Sequence, residues 1–225
     1  MLTTEETQAA QAFWAWFEQN RLAFEFVFDM SDEQRAELFR NTGEKVSAFA
    51  EGLEVRPSSN MEKDGPKYRA VISAAGHVPL FKKAKALADL APAMPDWVVS
   101  ALMPPLPKGV KIRFDLPDGG LLYPEDVWFL LMEAPEEPKF LGLHLALKQF
   151  DHCADEAAQD ELKQILIQLV AYIIGEESWA MDIQHLQIGP LPPDPFEEGF
   201  IELYDLPEYI AEFRKEHPSP RLGEM

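Results

Sequence analysis

At 225 residues, with 47% hydrophobic and 11% aromatic side chains, the chain has ample material for a sizeable core and none of the marks of general disorder. A formal charge of −19 and a pI near 4.6 repel nucleic-acid phosphates. The longest apolar run, Ile165 to Ile174, is interrupted by Gln168 and falls short of the roughly 20 residues of a membrane span, so neither nucleic acid nor membrane is expected as a partner.

A single cysteine, Cys153, excludes an internal disulfide. The N-terminal stretch MLTTEETQAAQ has neither the positive charge nor the apolar run of a secretory signal, and a reducing cytoplasm is the expected compartment. The acidic balance gives solubility and would steer the protein toward a basic protein partner, raising the association rate at low salt.

Thr3 and Glu6 have the spacing of a capping box, and Ala10, Phe13, Trp14 and Phe17 follow at helical spacing, which predicts a helix from Thr4 to about Leu22. Trp14 and Phe17 fall on the core stripe; Trp16, displaced around the helix, is the one expected to meet a partner. Phe24 to Phe28 alternates and fits either a strand or a helical continuation. Ser31 and Gln34 repeat the capping-box spacing and open a second helix that ends near Gly52.

The period then changes. Leu53 to Pro57 and Lys67 to Ala74 read as a hairpin with a turn signal at Asp64-Gly65-Pro66, followed by a helix from Val78 to Leu90 and a buried strand from Trp97 to Met103. Pro104-Pro105-Leu106-Pro107 is the natural seam, because consecutive prolines cannot continue a sheet ladder. Beyond it, Val110 to Leu116 alternates as a strand wet on one face, Val127 to Met132 reads as a central strand, and Phe140 to Gln149 sets Leu141, Leu143, Leu145 and Leu147 against His144 and Lys148.

The strongest periodic signal is Leu162, Ile165, Leu166, Leu169, Val170, Ile173 and Ile174, one face of a core helix capped by Asp155. Burying those side chains contributes on the order of 10 to 20 kcal/mol gross, most of it offset by chain entropy. A strand through Trp179, Met181, Ile183, Leu186 and Ile188 follows, and its change of phase predicts a bulge near Gln184-His185. Ile201 to Tyr204 predicts a short edge strand, Leu206 to Glu216 a last helix, and residues 217–225 a frayed tail.

FWAWF (Phe13 to Phe17), AVISAAG (Ala70 to Gly76) ahead of a helix, and IIGEE followed by a strand and Gly189-Pro190 resemble an uncharacterised bacterial protein family over most of the chain. The resemblance implies a soluble bacterial α+β protein and brings with it no reaction, cofactor or catalytic residue.

The sequence contains no GxSxG elbow, Walker P-loop, GxGxxG, HExxH or paired CxxC. Glu176 and Glu177, with Asp182 beyond, fall where a helix is expected to end, against the macrodipole, and a broken local rule marks a candidate site. His144 and His185 would share a face if their strands pair, and zinc would need a further ligand there. Asp151-His152-Cys153 mixes ligand types, but residues adjacent in sequence seldom have triad geometry.

These observations define an α+β fold: a mixed, mainly antiparallel sheet with helices packed on one side and two related β-β-α-β halves, at 53–103 and 127–189. The corresponding division is 1–104 and 105–225, packed as one compact unit. The leading expectation for function is a non-enzymatic acidic interaction protein that meets a basic partner. The alternative is an enzyme or small-ligand protein, with or without a divalent ion, whose pocket is built from Glu176, Glu177 and His185; a third is a homodimer formed through exposed aromatics such as Trp16. No metal site or cofactor is assigned.

Overall fold

The computed structural model describes residues 2–59, 66–116, 119–132, 140–148, 150 and 156–218, an α+β chain of helices and mixed, mostly antiparallel sheets. The turn signal at Asp64-Gly65, the Asp151-His152-Cys153 cluster, the Asp155 cap and the end of the tail lie outside these residues. The chain divides into two compact units, Met1–Met103 and Pro104–Glu224.

In the N-terminal unit, helix α1 (Thr4–Gln19) opens on a complete capping box: Glu6 N donates to Thr3 Oγ1 (3.1 Å) and Thr3 N to Glu6 Oε2 (2.8 Å). Its stripe of Ala10, Phe13, Trp14 and Phe17 is buried. The following aromatic run is helical, not extended: α2 (Arg21–Glu25) stacks Phe24 on Phe17 with centroids 4.6 Å apart, and Phe24 and Val27 bury at helical spacing while Phe26 turns outward. Helix α3 (Asp32–Ser47) starts at the Ser31 capping box and stops short of Gly52, which sits at φ 88° ahead of the first strand.

Strands β1 (Glu54–Ser59) and β2 (Tyr68–Ser73) pair antiparallel, helix α4 (Phe81–Asp89) crosses over, and β3 (Trp97–Ala101) returns parallel to β2. Trp14 Nε1 donates to the Leu87 carbonyl (2.9 Å), and the Glu6 carboxylate pairs with Lys83, fixing α1 to α4. That lysine's hydrogen bond holds the Glu6 carboxyl below its ordinary value. The expectation that Trp97 to Met103 is buried fails for most of its length: β3 is an edge strand, and its residues after Trp97 are half-buried up to Leu102.

In the C-terminal unit, Lys111, Arg113 and Asp115 are exposed while Leu116 is buried, so the alternation of Val110 to Leu116 is real. Its ladder is confined to β4 (Phe114–Asp115) with β5 (Leu121–Leu122). Strands β6 (Val127–Met132) and β7 (Leu141–Leu147) pair antiparallel; helices α5 (Glu156–Ile174) and α6 (Glu176–Asp182) cross over; β8 (Ile183–Pro190) then runs parallel to β7. Strand β9 (Ile201–Glu202) closes the other edge beside β6, and α7 (Leu206–Glu216) follows. The sheet order is β8-β7-β6-β9. Hairpin, helical crossover and parallel third strand thus occur in both units, β1-β2-β3 in one and β6-β7-β8 in the other.

The α5 stripe forms the core: Leu162, Leu166, Leu169 and Val170 are fully buried against Val127, Phe129, Leu143, Leu145 and Leu147, with Leu206 and Ile210 of α7 beside them. The strand expected from Trp179 begins only at Ile183, because Gly175 at φ 82° ends α5 and residues 176–182 coil into α6. Seven residues span barely two turns, too few for a helical period to stand out from an alternating one. Where β8 starts, Leu141 faces Ile183 but Gly142 faces His185, so Gln184 is the extra residue of a bulge, at the position the phase change indicates.

Helix α7 is held to α6 by an ion pair between a buried carboxylate and a half-buried guanidinium. Arg214 Nε donates to Asp182 Oδ1 (2.8 Å), Ser178 Oγ donates to Asp182 Oδ2 (2.6 Å), and the Arg214 and Asp182 side chains are 15% and 9% exposed.

Two stability changes follow from this packing. Leu166→Ala should lower the unfolding free energy by about 2–5 kcal/mol in urea titration, as expected for a leucine removed from a core that cannot collapse. Asp182→Ala should lower it by up to about 3–5 kcal/mol, because a half-buried guanidinium loses its carboxylate, whereas the double change Asp182→Leu with Arg214→Met should recover most of that loss. A double variant no more stable than the single one would show that the loss does not come from a guanidinium stranded without its partner.

Candidate partner-binding surface

Glu176 and Glu177 occupy the first turn of α6, where Trp179 N donates to the Gly175 carbonyl (3.0 Å) and the helix dipole favours acids. The local rule that the sequence has them break is therefore satisfied by a second helix start, which corrects their expected position at a helix C-terminus. Glu176 is buried and Glu177 half-buried. His185 is exposed just past the bulge, in an open groove of about 580 Å³ whose polar lining is Lys163, Gln184, His185 and Gln187. Neither glutamate contributes to that lining, and among the described residues no group of three or more His, Cys, Asp or Glu could hold a metal ion.

His144 and His185 do lie on one face of adjacent strands, opposite Gln187 and Gly142 respectively. The His144 ring lies over Gly189, where a Cβ would come within 2.8 Å of its Nε2, and meets Phe200 with centroids 5.3 Å apart. Trp16 is half-buried, edge-on to Phe24 with centroids 6.1 Å apart; Leu22 (63% exposed) and Phe26 (57%) are the more open apolar side chains of that unit.

Sequence reasoning passes over a different surface. The pleat of the four-stranded sheet sends Val127, Phe129, Leu131, Leu143, Leu145, Leu147, Leu186 and Ile188 toward α5 and α7, so Trp128, Leu130, Met132, His144, His185 and Gln187 project from the other face. The segment 191–200 crosses part of that outer face. Phe200 is buried on His144, Gly199 lies against Leu130, and Phe196 meets Trp128 edge to face with centroids 4.7 Å apart and an interplanar angle of 82°.

Phe196 remains 69% exposed, the most exposed large hydrophobic residue among those described. Full burial of a phenylalanine is worth about 1.5–3 kcal/mol, and most of that is unrealised here. The ring is nonetheless held by local structure: Glu197 N donates to Asp194 Oδ1 (3.3 Å), Glu198 N to Asp194 O (3.3 Å), Gly199 N to Phe196 O (3.1 Å) and Phe200 N to Pro195 O (2.8 Å). Gly199, at φ 83°, supplies the left-handed residue that turns the chain back to the sheet. The sequence signal is the Asp194-Pro195-Phe196-Glu197 turn, which composition alone marks only as loop.

The charge is unevenly placed. Residues 1–103 hold 15 acidic and 11 basic side chains, and residues 104–225 hold 24 and 9, giving formal charges of −4 and −15. The imbalance is countable as soon as the proline seam is drawn. Lys108 takes Asp205 and Glu208 (3.0 and 3.3 Å), and its hydrogen bonds to them hold the ammonium above the ordinary lysine value. Asp194, Glu197, Glu198 and Glu202 are exposed and, among the described residues, have no ion pair; Glu202 faces Trp128 across β9 and β6. An apolar ring pair bordered by unneutralised carboxylates offers contact area and negative potential together.

Comparison of the chain with protein-family models, with curated proteins and with solved structures gives no match.

Proposed function

We propose that this protein is a non-enzymatic, acidic interaction protein of the cytoplasm, and that its C-terminal unit receives a basic protein partner. The observation that supports this most is the partition of charge, −15 on residues 104–225 against −4 on residues 1–103. A field of one sign concentrated on one unit attracts an oppositely charged partner from solution and orients it before contact. The same field opposes nucleic acids, whose phosphates it repels.

A second reading rests on the groove at His185, where an amine, an imidazole and two amides converge beside Met132 and Gly142. It would make the protein a small-ligand binder, with or without a divalent ion. A thermal-shift series with Mg²⁺, Ca²⁺, Mn²⁺ and Zn²⁺ tests the metal form, since a ligand held only by the native state raises Tm. No shift across the series rejects that form.

For the leading proposal, the immobilised full chain should capture proteins of high pI from a lysate. Association should slow by roughly tenfold or more as salt rises from about 0.1 M to about 1 M and the Debye length falls from about 10 Å to about 3 Å. Glu197→Lys with Glu198→Lys should slow association several-fold, while the equally exposed Glu33→Lys with Glu37→Lys in the N-terminal unit should leave it nearly unchanged. Absence of basic proteins from the captured set, or association indifferent to salt, would refute the proposal.

A further inference from the structure

We infer that the basic partner docks on the outer face of the four-stranded sheet at the Trp128–Phe196 ring pair, inserting an apolar side chain that is flanked in its own chain by lysines or arginines. The inference rests on the preceding functional proposal and adds to it a location and a chemistry.

Three observations converge on this face. Phe196 is 69% exposed and touches Trp128 by its edge, leaving ring surface open to a second apolar group. The turn that carries it is closed by Asp194 at one end and by Phe200, buried on His144, at the other, so the ring is presented ready-made and little order has to be gained on binding. Asp194, Glu197, Glu198 and Glu202 stand exposed around the pair, with no ion pair among the described residues. An aromatic anchor enclosed by groups that exclude or organise water is the usual make-up of an interface hot spot.

Charge decides the occupant. A purely apolar partner would desolvate these carboxylates and return nothing to them. A second copy of the chain would bring one unit of formal charge −15 against another, carboxylate to carboxylate around the same rings. A segment with an apolar side chain between cations satisfies both requirements: the side chain covers Phe196 and the cations meet the rim.

The test uses the full-length protein and two synthetic peptides of equal length and charge, one alternating Lys and Leu and the other Lys and Ser, with binding measured by calorimetry at about 0.1 M salt. The leucine peptide should bind at least about tenfold more tightly than the serine peptide. Phe196→Ala should abolish that difference without changing Tm, since the ring contributes little to the fold. Phe26→Ala, which removes a comparably exposed ring from the N-terminal unit, should leave the difference intact. Glu197→Gln with Glu198→Gln should weaken both peptides.

If both peptides bind in a salt-dependent way but Phe196→Ala changes neither affinity, the docking face is elsewhere and only this inference falls. If neither peptide binds with any salt dependence, the basic-partner proposal falls too. A dimer in sedimentation that Phe196→Ala dissolves would assign the face to a second copy and overturn the inference.

Discussion

Burial of the α5 stripe against one face of a four-stranded sheet is the constraint from which the C-terminal unit follows. Leu162, Leu166, Leu169 and Val170 are apolar enough to demand a dry, flat surface, and alternate residues of β6 and β7 provide it. Because side chains on a strand alternate, committing Val127, Phe129, Leu143 and Leu145 to that contact sends Trp128, Leu130, His144 and Gly142 the other way. The outer face is the residue of a decision made on the inner one.

How that outer face is finished decides which side chains it leaves to solvent. Small residues bear part of it: Gly142, Ala146 and Gly189 lie beneath larger neighbours, and His144 occupies the space that a side chain at 189 would need. Segment 191–200 closes another part through Phe200. Phe196 is left in water beside Trp128, in the half of the chain that carries most of the negative charge. Apolar exposure and uncompensated charge are each ordinary on a protein surface, and each has a bland explanation in solubility or in incomplete coverage. Their coincidence at a turn held by its own hydrogen bonds is the ground on which the docking site is proposed.

The N-terminal unit reaches a related arrangement by a different economy. Its sheet has the same hairpin, crossover and parallel third strand, but the short α4 covers less surface than α5, and an aromatic layer makes up the difference through Phe17 of α1 and Phe24 of α2, with Phe17 set against Trp97 of β3. Glu25 accepts from Trp97 Nε1 (3.0 Å) and pairs with Arg21, so the one polar atom of that indole is satisfied where it enters the core. Trp16 belongs to the border of this layer, which accounts for its half-buried state.

Much of this architecture was legible from residues alone. The capping boxes at Thr3 and Ser31, the stripes of α1, α5 and α7, the hairpin of β1 and β2, and the bulge at Gln184 all express forces acting within a turn or two of the chain, where spacing records them. The sequence did not reveal that Glu176 to Asp182 forms a second helix, since so short an element is defined by the Gly175 break and by Arg214 arriving from α7. Nor did it reveal that β3 lies at an edge, or that Phe196 stands against Trp128 and not in a core. Those outcomes depend on which distant segment comes to lie alongside, and spacing along the chain holds no record of that. Local periodicity determined the elements; only tertiary packing decided which faces were left to the solvent.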